Sequence, residues 1–224
     1  MIIDKHKCVF VHIPKCAGTS IEQTLEPTVD VTSDKNLVSF VGWDAAAQSW
    51  LQHATMAQMN EQCPHVENYF KFTFVRNPWD RVVSLFEWQK DSIPRWKRRI
   101  RRNKRVMVQR GIYKYMCNLP PAKQTLKEYL LEPICADPAH IIDQYEFTHD
   151  KHGNQIVDFV GKFENLQEDF DKICDRLGIK TQQLKHQNKL NKRKKYKEYY
   201  DDETKEIVAQ KFAKEINSFG YEFE

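Results

Sequence analysis

The sequence predicts an α/β protein with three layers, in which helices flank a central parallel β-sheet. Strand-like runs alternate with helical patterns along the chain, and such alternation is typical of parallel sheets. Two of the strands end in tight turns that lead directly into helices. Because ligands of parallel sheets bind at the carboxyl ends of the strands, we expect residues 12–20 and 76–84 to lie on one rim.

The first strand–turn–helix unit lies near the start of the chain. Lys7–Ile13 is rich in β-formers and is predicted to be a buried strand, which Pro14 and Gly18 bring to an end. Thr19, followed three residues later by Glu22, matches a capping box. The helix is therefore expected to begin with Thr19 as its N-cap.

The second unit repeats this pattern. Tyr69–Arg76 is predicted to be a strand, and Asn77 is suited to cap the helix that follows it. Pro78 then occupies the first helical position and Asp80 lies in the first turn, where an acidic side chain is favourable. The helix is expected to extend to about Lys90.

Composition and periodicity predict four more elements. Ala45–Met59 contains no proline or glycine and is expected to be helical. The others are a strand at Ile156–Phe163, an amphipathic helix capped by Asn165 and ended by Gly178, and a last helix from Asp201 or Asp202 to just before Gly220.

The composition is that of an ordinary globular protein. The chain has 224 residues, of which 41% are hydrophobic and 29% charged, and we expect one domain over residues 1–224. Collagen, low-complexity disorder and a disulfide-rich miniprotein are excluded. No apolar run approaches the roughly 18 residues that a membrane span needs, and no signal peptide or Asn-x-Ser/Thr site is present, so a cytoplasmic protein is expected.

The six cysteines and eight histidines show no metal-binding pattern. No CxxC, HxH or HExxH spacing occurs, so we expect neither a zinc site nor a disulfide framework. Scattered cysteines in an intracellular chain are most often reduced and buried.

The net charge of +4 conceals two basic segments. Arg95–Arg105 holds eight basic residues and Lys185–Lys197 holds seven, which leaves 20 basic and 31 acidic residues elsewhere. Such segments predict surfaces that face anions, with a solvated helix face and a loose basic loop as the alternative. They also suit peripheral contact with a membrane, whereas no signature of a nucleic-acid-binding fold is present.

The segment His12–Ser20 suits an anion. A loop from a buried strand into a helix presents successive backbone N–H groups, which bind anions together with the helix dipole. Lys15 adds a positive charge, Thr19 and Ser20 add hydroxyl donors, and Gly18 lets the backbone approach a ligand closely. The loop is P-loop-like but lacks the GxxxxGK[ST] spacing of ATP- and GTP-binding loops. The alternative is a tight turn with an exposed lysine.

Two motifs resemble those of a known family. HIPKCAGTS at residues 12–20 resembles the 5′-phosphosulfate-binding loop of sulfotransferases that use 3′-phosphoadenosine 5′-phosphosulfate (PAPS), in the group of the Golgi carbohydrate sulfotransferases and their bacterial relatives. FVRNPWDRVVSLF at residues 74–86 resembles their 3′-phosphate-binding motif. Residues 157–166 and the C-terminal segment are similar to the same group, so the resemblance extends from about residue 8 to the end of the chain.

The resemblance implies which residues hold PAPS. The 5′-phosphosulfate would lie against the loop residues Lys15, Cys16, Ala17, Gly18, Thr19 and Ser20. Arg76 and Ser84 would hold the 3′-phosphate, and an arginine suits this role because its planar fork matches phosphate oxygens. Arg81 is the competing choice, although we expect it to form a surface salt bridge with Asp80 or Glu87 instead.

The resemblance also assigns a late basic loop to the nucleotide. In the family a loop before the last helix closes over the nucleotide, and Lys192–Tyr196 lies in the corresponding place. Tyr196 would stack on the adenine, and lysines such as Lys195 would face the 3′-phosphate. The alternative is a mobile basic loop.

The implied reaction is an in-line transfer of a sulfuryl group between two oxygens, without a metal ion. Lys15 would neutralise the charge that grows on the leaving phosphate. His53 is the predicted general base, because QHATMAQM resembles the family's HxT segment and imidazole titrates near neutral pH. The alternative is a histidine on a helix surface. His12 is the rival base, although we expect it to shape the loop, and the capping box accounts for Glu22.

The acceptor is predicted to be a hydroxyl of an anionic or neutral carbohydrate, such as a glycan, a polysaccharide or a glycolipid. Arg98, Arg99, Arg101 and Arg102 follow the second motif and would guide an acidic acceptor. The alternative functions are a P-loop-type nucleotide kinase and a non-catalytic module that binds polyanions. The chain resembles a bacterial, cytoplasmic-facing form of the family, with a truncated Golgi-lumenal domain as the alternative.

Overall fold

The computed structural model describes residues 1–26, 36–44, 46–47, 49–102, 119–133, 138–184 and 194–224, except for the side chains of residues 96, 99–101 and 138. Contacts divide the chain into two units. The first comprises Met1–Gly42, Leu51–Arg76 and Asp143–Arg193, and the second comprises Trp43–Trp50, Asn77–Ile142 and Lys194–Glu224. That residues 1–224 form one domain stays a prediction.

The strands and helices follow one another along both units. In chain order they are β1 (Ile2–Ile3), β2 (Cys8–Val11), α1 (Gly18–Leu25), β3 (Trp43–Asp44), β4 (Ser49–Trp50), α2 (Met56–Gln62), β5 (Phe70–Val75), α3 (Pro78–Arg102), α4 (Leu126–Leu131), α5 (Gln144–Thr148), β6 (Phe159–Lys162), α6 (Leu166–Leu177), α7 (Asp202–Lys211) and α8 (Ala213–Phe219).

A four-stranded sheet forms the centre of the first unit, in the spatial order β1-β2-β5-β6. β2, β5 and β6 run parallel, whereas β1 pairs with β2 in the antiparallel direction. Every residue of β2 is buried, and the rings of Phe10 and Phe72 on neighbouring strands stack with their centres 5.2 Å apart. The mostly parallel sheet flanked by helices confirms the predicted α/β class, and β1 was not predicted.

The carboxyl ends of β2 and β5 lie side by side. Val11 is paired with Thr73 in the parallel register, and the Thr73 hydroxyl donates to the Val11 carbonyl at 2.7 Å. The loop that begins at His12 leaves one strand, and Arg76 directly follows the other. The sheet therefore brings the first predicted anion loop close to Arg76.

The second unit is mainly helical, and α3 is its longest element with 25 residues. Apolar side chains of α3 pack against α4 and α7. The core of this unit comprises Trp79, Val82, Val83, Leu85, Phe86, Leu126, Tyr129, Leu130, Val208 and Phe212. In addition, the Trp79 indole donates to the Lys205 carbonyl at 3.1 Å, which ties α7 to the start of α3.

The three predicted strands are confirmed, each with shorter bounds than the sequence indicated. Pro78 opens α3 as predicted, and the Asn77 side chain caps it by accepting from the Trp79 amide at 3.1 Å. Gly178 ends α6 in the left-handed conformation, with φ at 64°. Asn165 precedes α6, but its side chain makes no cap hydrogen bond.

Two of the predicted helix bounds were wrong. α3 does not stop near Lys90 but continues to Arg102 with Pro94 inside it. The last helix breaks at Phe212 into α7 and α8, because Phe212 leaves the helical conformation with φ at −113° and ψ at 27°. Phe212 still packs in the core of the second unit, as its predicted apolar face requires.

The helix predicted at Ala45–Met59 was also wrong. Its described part contains the strand β4 and a 3-10 turn at Leu51–His53, and α2 begins only at Met56. Thr55 caps α2 through a capping box with Gln58, which the sequence analysis did not identify. His53 therefore lies on a turn instead of a helix.

Candidate functional site

The loop between β2 and α1 has an unusual backbone. Lys15 and Ala17 both adopt the left-handed conformation, with φ at 71° and 66°, although neither is a glycine. Such strained residues are uncommon and concentrate at functional sites. Since Ala17 is the N-cap, α1 begins at Gly18. The Ala17 carbonyl accepts from the Ser20 and Ile21 amides at 3.0 and 3.3 Å, whereas the amides of the first two helical residues precede the first acceptor of the helix. This loop therefore has the backbone donors and the helix dipole that an anion site needs.

The capping box predicted for α1 does not form. Thr19 is the second residue of the helix, and Ala17 caps it without a side-chain hydrogen bond. Glu22 instead accepts a hydrogen bond from the His12 ring, with 2.8 Å between Nδ1 and Oε1. Both residues are buried, and only 6% of His12 and 3% of Glu22 are exposed. The role given to Glu22 from the sequence was wrong.

His12 also explains why residue 18 is a glycine. A Cβ atom on Gly18 would lie 2.0 Å from both Cδ2 and Nε2 of His12, which is far inside any van der Waals contact. The imidazole therefore packs directly on the first residue of α1. The sequence analysis related this glycine to the approach of a ligand, but in the structure the neighbouring ring requires it.

The environment of the pair keeps Glu22 ionised and His12 neutral. Burial lowers the pKa of His12 below its usual 6.5 and outweighs the opposing effect of the Glu22 carboxylate. Burial alone would raise the pKa of Glu22, but the interaction with His12, with smaller contributions from the N-terminal amine and His53, holds it below 4.5. A neutral His12 that faces a carboxylate with Nδ1 carries its proton on that nitrogen.

His53 lies beside His12. The centres of the two rings are 4.7 Å apart and the rings are nearly perpendicular. Hydrogen bonds fix the turn that carries His53, from the Leu51 amide to the Gly42 carbonyl at 2.8 Å and from the Gly42 amide to Gln52 Oε1 at 3.2 Å. His53 is half-buried, so the structure brings the predicted base close to the loop.

Arg76 contacts the same loop with its side chain. Its Nη1 atom donates to the Lys15 carbonyl at 3.0 Å, and its guanidinium lies 3.9 Å above the centre of the Phe163 ring. Only 7% of Arg76 is exposed. The two residues that the sequence places on separate motifs, Lys15 and Arg76, thus meet in the first unit.

Gln144 at the start of α5 connects these parts. Its Oε1 atom accepts from the Arg76 amide at 2.8 Å and from the Cys16 thiol at 3.2 Å. Its Nε2 atom donates to the Arg76 carbonyl at 2.8 Å. Gln144 is fully buried and was not predicted. No sequence pattern marks it, because it meets Arg76 only through the tertiary fold.

Arg81 does not lie at the surface, where the sequence predicted a salt bridge with Asp80 or Glu87. It is 1% exposed, and its Nη1 atom lies 3.6 Å from Oε2 of the fully buried Glu215. Its Nη2 atom also donates to the Ile142 carbonyl at 2.9 Å. The pair lies inside the second unit, where Arg81 has a structural partner.

Ser84 is buried in α3, which belongs to the second unit. Arg76 directly follows β5 and belongs to the first unit. The shared role that the resemblance gives to Arg76 and Ser84 stays a prediction.

The late basic loop is described from residue 194 onward, and Lys192 and Arg193 lie outside the described residues. Lys195 is exposed at the start of a 3-10 turn at Tyr196–Tyr199. The Tyr196 hydroxyl donates to the main-chain oxygen of Glu224, and its ring meets Phe223 edge to face at 5.5 Å. The nucleotide roles of Lys195 and Tyr196 stay predictions.

The four arginines that were predicted to guide the carbohydrate acceptor lie on the last turns of α3. Arg98 and Arg102 are exposed, and the side chains of Arg99 and Arg101 lie outside the described part of the chain. The basic segment is helical as far as Arg102, as the last part of α3.

No group of three or more His, Cys, Asp or Glu side chains suited to a metal ion occurs among the described residues. Within the same ranges, no helix combines the length and apolar character that would let it cross a bilayer. Cys8, Cys16, Cys63 and Cys174 are free thiols, and Cys117 and Cys135 lie outside the described residues.

At the end of β2 the loop has two left-handed residues, and Arg76 at the end of β5 donates to the same loop. A family model for the sulfotransferase family matches residues 1–222. The chain therefore belongs to the sulfotransferase family.

Among curated proteins, the chain is similar to an uncharacterized protein of Archaeoglobus fulgidus. The two are 26% identical over 113 residues, which cover 50% of this chain and 71% of the relative. No solved structure matches the chain. Family membership supports sulfuryl transfer as the general activity.

Proposed function

We propose that this protein transfers a sulfuryl group from PAPS to a hydroxyl of a carbohydrate. The observation that supports this most is the loop at residues 12–20, where strained backbone, a helix start and Lys15 lie beside the docked Arg76. PAPS carries two separate anionic groups, so its binding needs two anion sites. The loop and Arg76 offer one each.

On the donor side, residues 15–20 hold the 5′-phosphosulfate through backbone amides, the hydroxyls of Thr19 and Ser20 and the charge of Lys15. Arg76 and Ser84 hold the 3′-phosphate, and Lys195 and Tyr196 lie against the nucleotide. The contact of Arg76 with the Lys15 carbonyl supports its part in this proposal, because it holds the guanidinium next to the loop. The roles of Ser84, Lys195 and Tyr196 rest on the sequence resemblance alone.

In the reaction, the acceptor oxygen forms a bond to sulfur while the bond between sulfur and the 5′-phosphate oxygen breaks. That phosphate keeps the electron pair, and Lys15 neutralises its growing charge. The acceptor hydroxyl loses its proton to His53. Positioning and charge stabilisation thus contribute most of the rate, as in phosphoryl transfer.

His53 is a better base than His12. The Nδ1 atom of His12 is bonded to Glu22, its other ring edge packs on Gly18, and the residue is only 6% exposed. His53 is half-buried on a turn next to it. An acceptor hydroxyl can therefore approach His53 more easily than His12.

The exposed Arg98 and Arg102 support an anionic acceptor, together with Arg99 and Arg101 of the same basic run. Exposed cations at the end of a long helix attract acidic sugars through their combined field. A uronic acid or an already sulfated glycan has the matching charge.

Calorimetric titration with the product 3′-phosphoadenosine 5′-phosphate (PAP) tests the proposal. We expect tight binding of PAP, weak binding of ATP and 5′-AMP, and loss of PAP binding in Arg76→Ala. Arg176→Ala is the matched control, because Arg176 is an exposed arginine of the same unit outside the site. Binding of ATP with Mg²⁺ but not of PAP would support a kinase instead, and binding of neither would support a polyanion-binding module.

A further inference from the structure

The buried carboxylate of Glu22 contacts one of the two histidines of the site. Glu22 projects from α1, accepts from Nδ1 of His12 at 2.8 Å and is 3% exposed. The His12 ring also meets the ring of His53, with 4.7 Å between the centres and the two planes nearly perpendicular. Glu22 thus contacts His12, and His12 contacts the half-buried His53.

Helix capping does not explain this carboxylate. Glu22 makes no capping box, because α1 begins at Gly18 and Ala17 is its N-cap. Taking a carboxylate out of water costs several kcal/mol, and an apolar side chain at this position of an amphipathic helix would avoid that cost. Buried ionised groups next to a histidine concentrate at functional sites, where they fix its tautomer and orientation.

We propose that Glu22 and His12 are positioning residues for His53. The Glu22 carboxylate holds the proton of His12 on Nδ1, and the fixed His12 ring holds His53 in place. The negative charge of Glu22 also favours the imidazolium that forms when His53 takes the proton of the acceptor hydroxyl. This inference rests on the proposed function, since it assigns a support to the base of that reaction.

The electrostatic groups that act on the pair come from three elements. They are Glu22 on α1, His53 on its turn, and the buried N-terminal amine at the start of β1. Burial lowers the pKa of this amine to about 6, so it is mainly neutral near pH 7. Glu22 is then the dominant fixed charge beside the two imidazoles at neutral pH.

The test compares Glu22→Gln with the wild type, with the exposed Glu61→Gln as the matched control. Gln keeps the shape of Glu but removes the charge. We expect kcat to fall by about tenfold or more, since a general base contributes roughly 10²–10⁴ in rate. The acid limb of the kcat–pH profile should move to lower pH, while the Kd for PAP stays within about twofold. A role in stability alone would not move the pH profile.

A second measurement does not depend on turnover. The ring protons of His53 are followed by NMR as a function of pH, with His53→Asn used to assign them. In Glu22→Gln the ring signals of His53 should change, because the His12 ring beside them is no longer held by the carboxylate. His12→Asn, which keeps a donor for Glu22 but removes the ring, should lower kcat as well.

An unchanged pH profile and unchanged His53 ring signals in a folded Glu22→Gln protein would overturn the inference. If Glu22→Gln does not fold, the result for His12→Asn decides, and an unchanged kcat in that variant overturns the inference too. In the His53→Asn background, Glu22→Gln should cause no further loss of kcat. A wild type that binds no PAP and transfers no sulfuryl group would instead contradict the proposed function, so the two failures are distinguishable.

Discussion

Gly18 and His12 constrain each other at the scale of single residues. Position 18 has no room for a Cβ atom, because that atom would lie 2.0 Å from the nearest atoms of the His12 ring. We expect Gly18→Ala to lower the free energy of unfolding by about 1–3 kcal/mol, as inserted methyl groups do in packed cores. Urea unfolding of the variant measures this loss.

A double-mutant cycle with His12→Ala isolates the steric cause. Once the ring is gone, alanine at position 18 has space, so Gly18→Ala should cost much less in the His12→Ala background. An equal cost in both backgrounds would show that the backbone of α1, and not the ring, demands the glycine.

The buried pair of His12 and Glu22 makes stability depend on pH in one direction. The folded-state pKa of His12 is below 6.5 and that of Glu22 is below 4.5. In both cases the unfolded chain binds more protons, so the free energy of unfolding falls as the pH drops below 6.5 and falls further below 4.5. Each unit of pKa difference corresponds to about 1.4 kcal/mol.

Chemical unfolding of the wild type and His12→Asn at pH 7, 6 and 5 tests this dependence. The slope of stability against pH should be smaller in the variant, because asparagine does not titrate. Parallel slopes would mean that other groups cause the acid sensitivity.

Single residues were predictable where their signal is local. The loop at residues 12–20 was found because its lysine, glycine and hydroxyls are contiguous. Gln144 was not found, because its partners Arg76 and Cys16 lie far away in the chain. Glu22 was misassigned because a capping pattern matched it, whereas a tertiary partner, His12, took the carboxylate.

At the scale of elements, α3 shows how packing overrules local signals. The sequence predicted an end near Lys90, yet the helix continues to Arg102 with Pro94 inside it. Its first turns bury their apolar face in the second unit, and that packing supports a length which propensity alone would not. The strands were predicted well, because short apolar β-branched and aromatic runs depend little on distant partners.

The buried ion pair between α3 and α8 gives an element-scale prediction. Removing Arg81 alone takes the cation away from the buried Glu215 carboxylate, so Arg81→Met should cost about 3–5 kcal/mol. The double variant Arg81→Met/Glu215→Leu should recover most of this loss. Thermal unfolding monitored by circular dichroism compares the three proteins.

The same double variant tests whether Arg81 binds the sulfuryl donor PAPS. Since Arg81 is engaged by Glu215 and by the Ile142 carbonyl, we expect its loss to leave the Kd for PAP within about twofold when the fold is kept. A folded double variant whose PAP affinity falls tenfold would make Arg81 a donor ligand after all.

At the scale of the whole molecule, the uneven charge distribution allows two descriptions of how an acidic acceptor is attracted. The chain carries a net charge of +4, and its basic residues are concentrated in two runs while the remainder is acidic. A diffuse positive field would attract any acidic sugar, whereas a local patch would act only where its arginines lie. The two descriptions predict different effects of reversing charge inside and outside the runs.

Charge reversal distinguishes the two descriptions. The variant Arg98→Glu/Arg102→Glu and the control Lys151→Glu/Lys180→Glu each change the net charge by the same amount, and all four side chains are exposed. If the end of α3 guides the acceptor, only the first variant should raise the acceptor KM, by about tenfold, and the increase should shrink as salt screens the charges. The Kd for PAP should stay the same in both. An equal increase of the acceptor KM in the two variants would mean that net charge, and not the arginines of α3, attracts the acceptor.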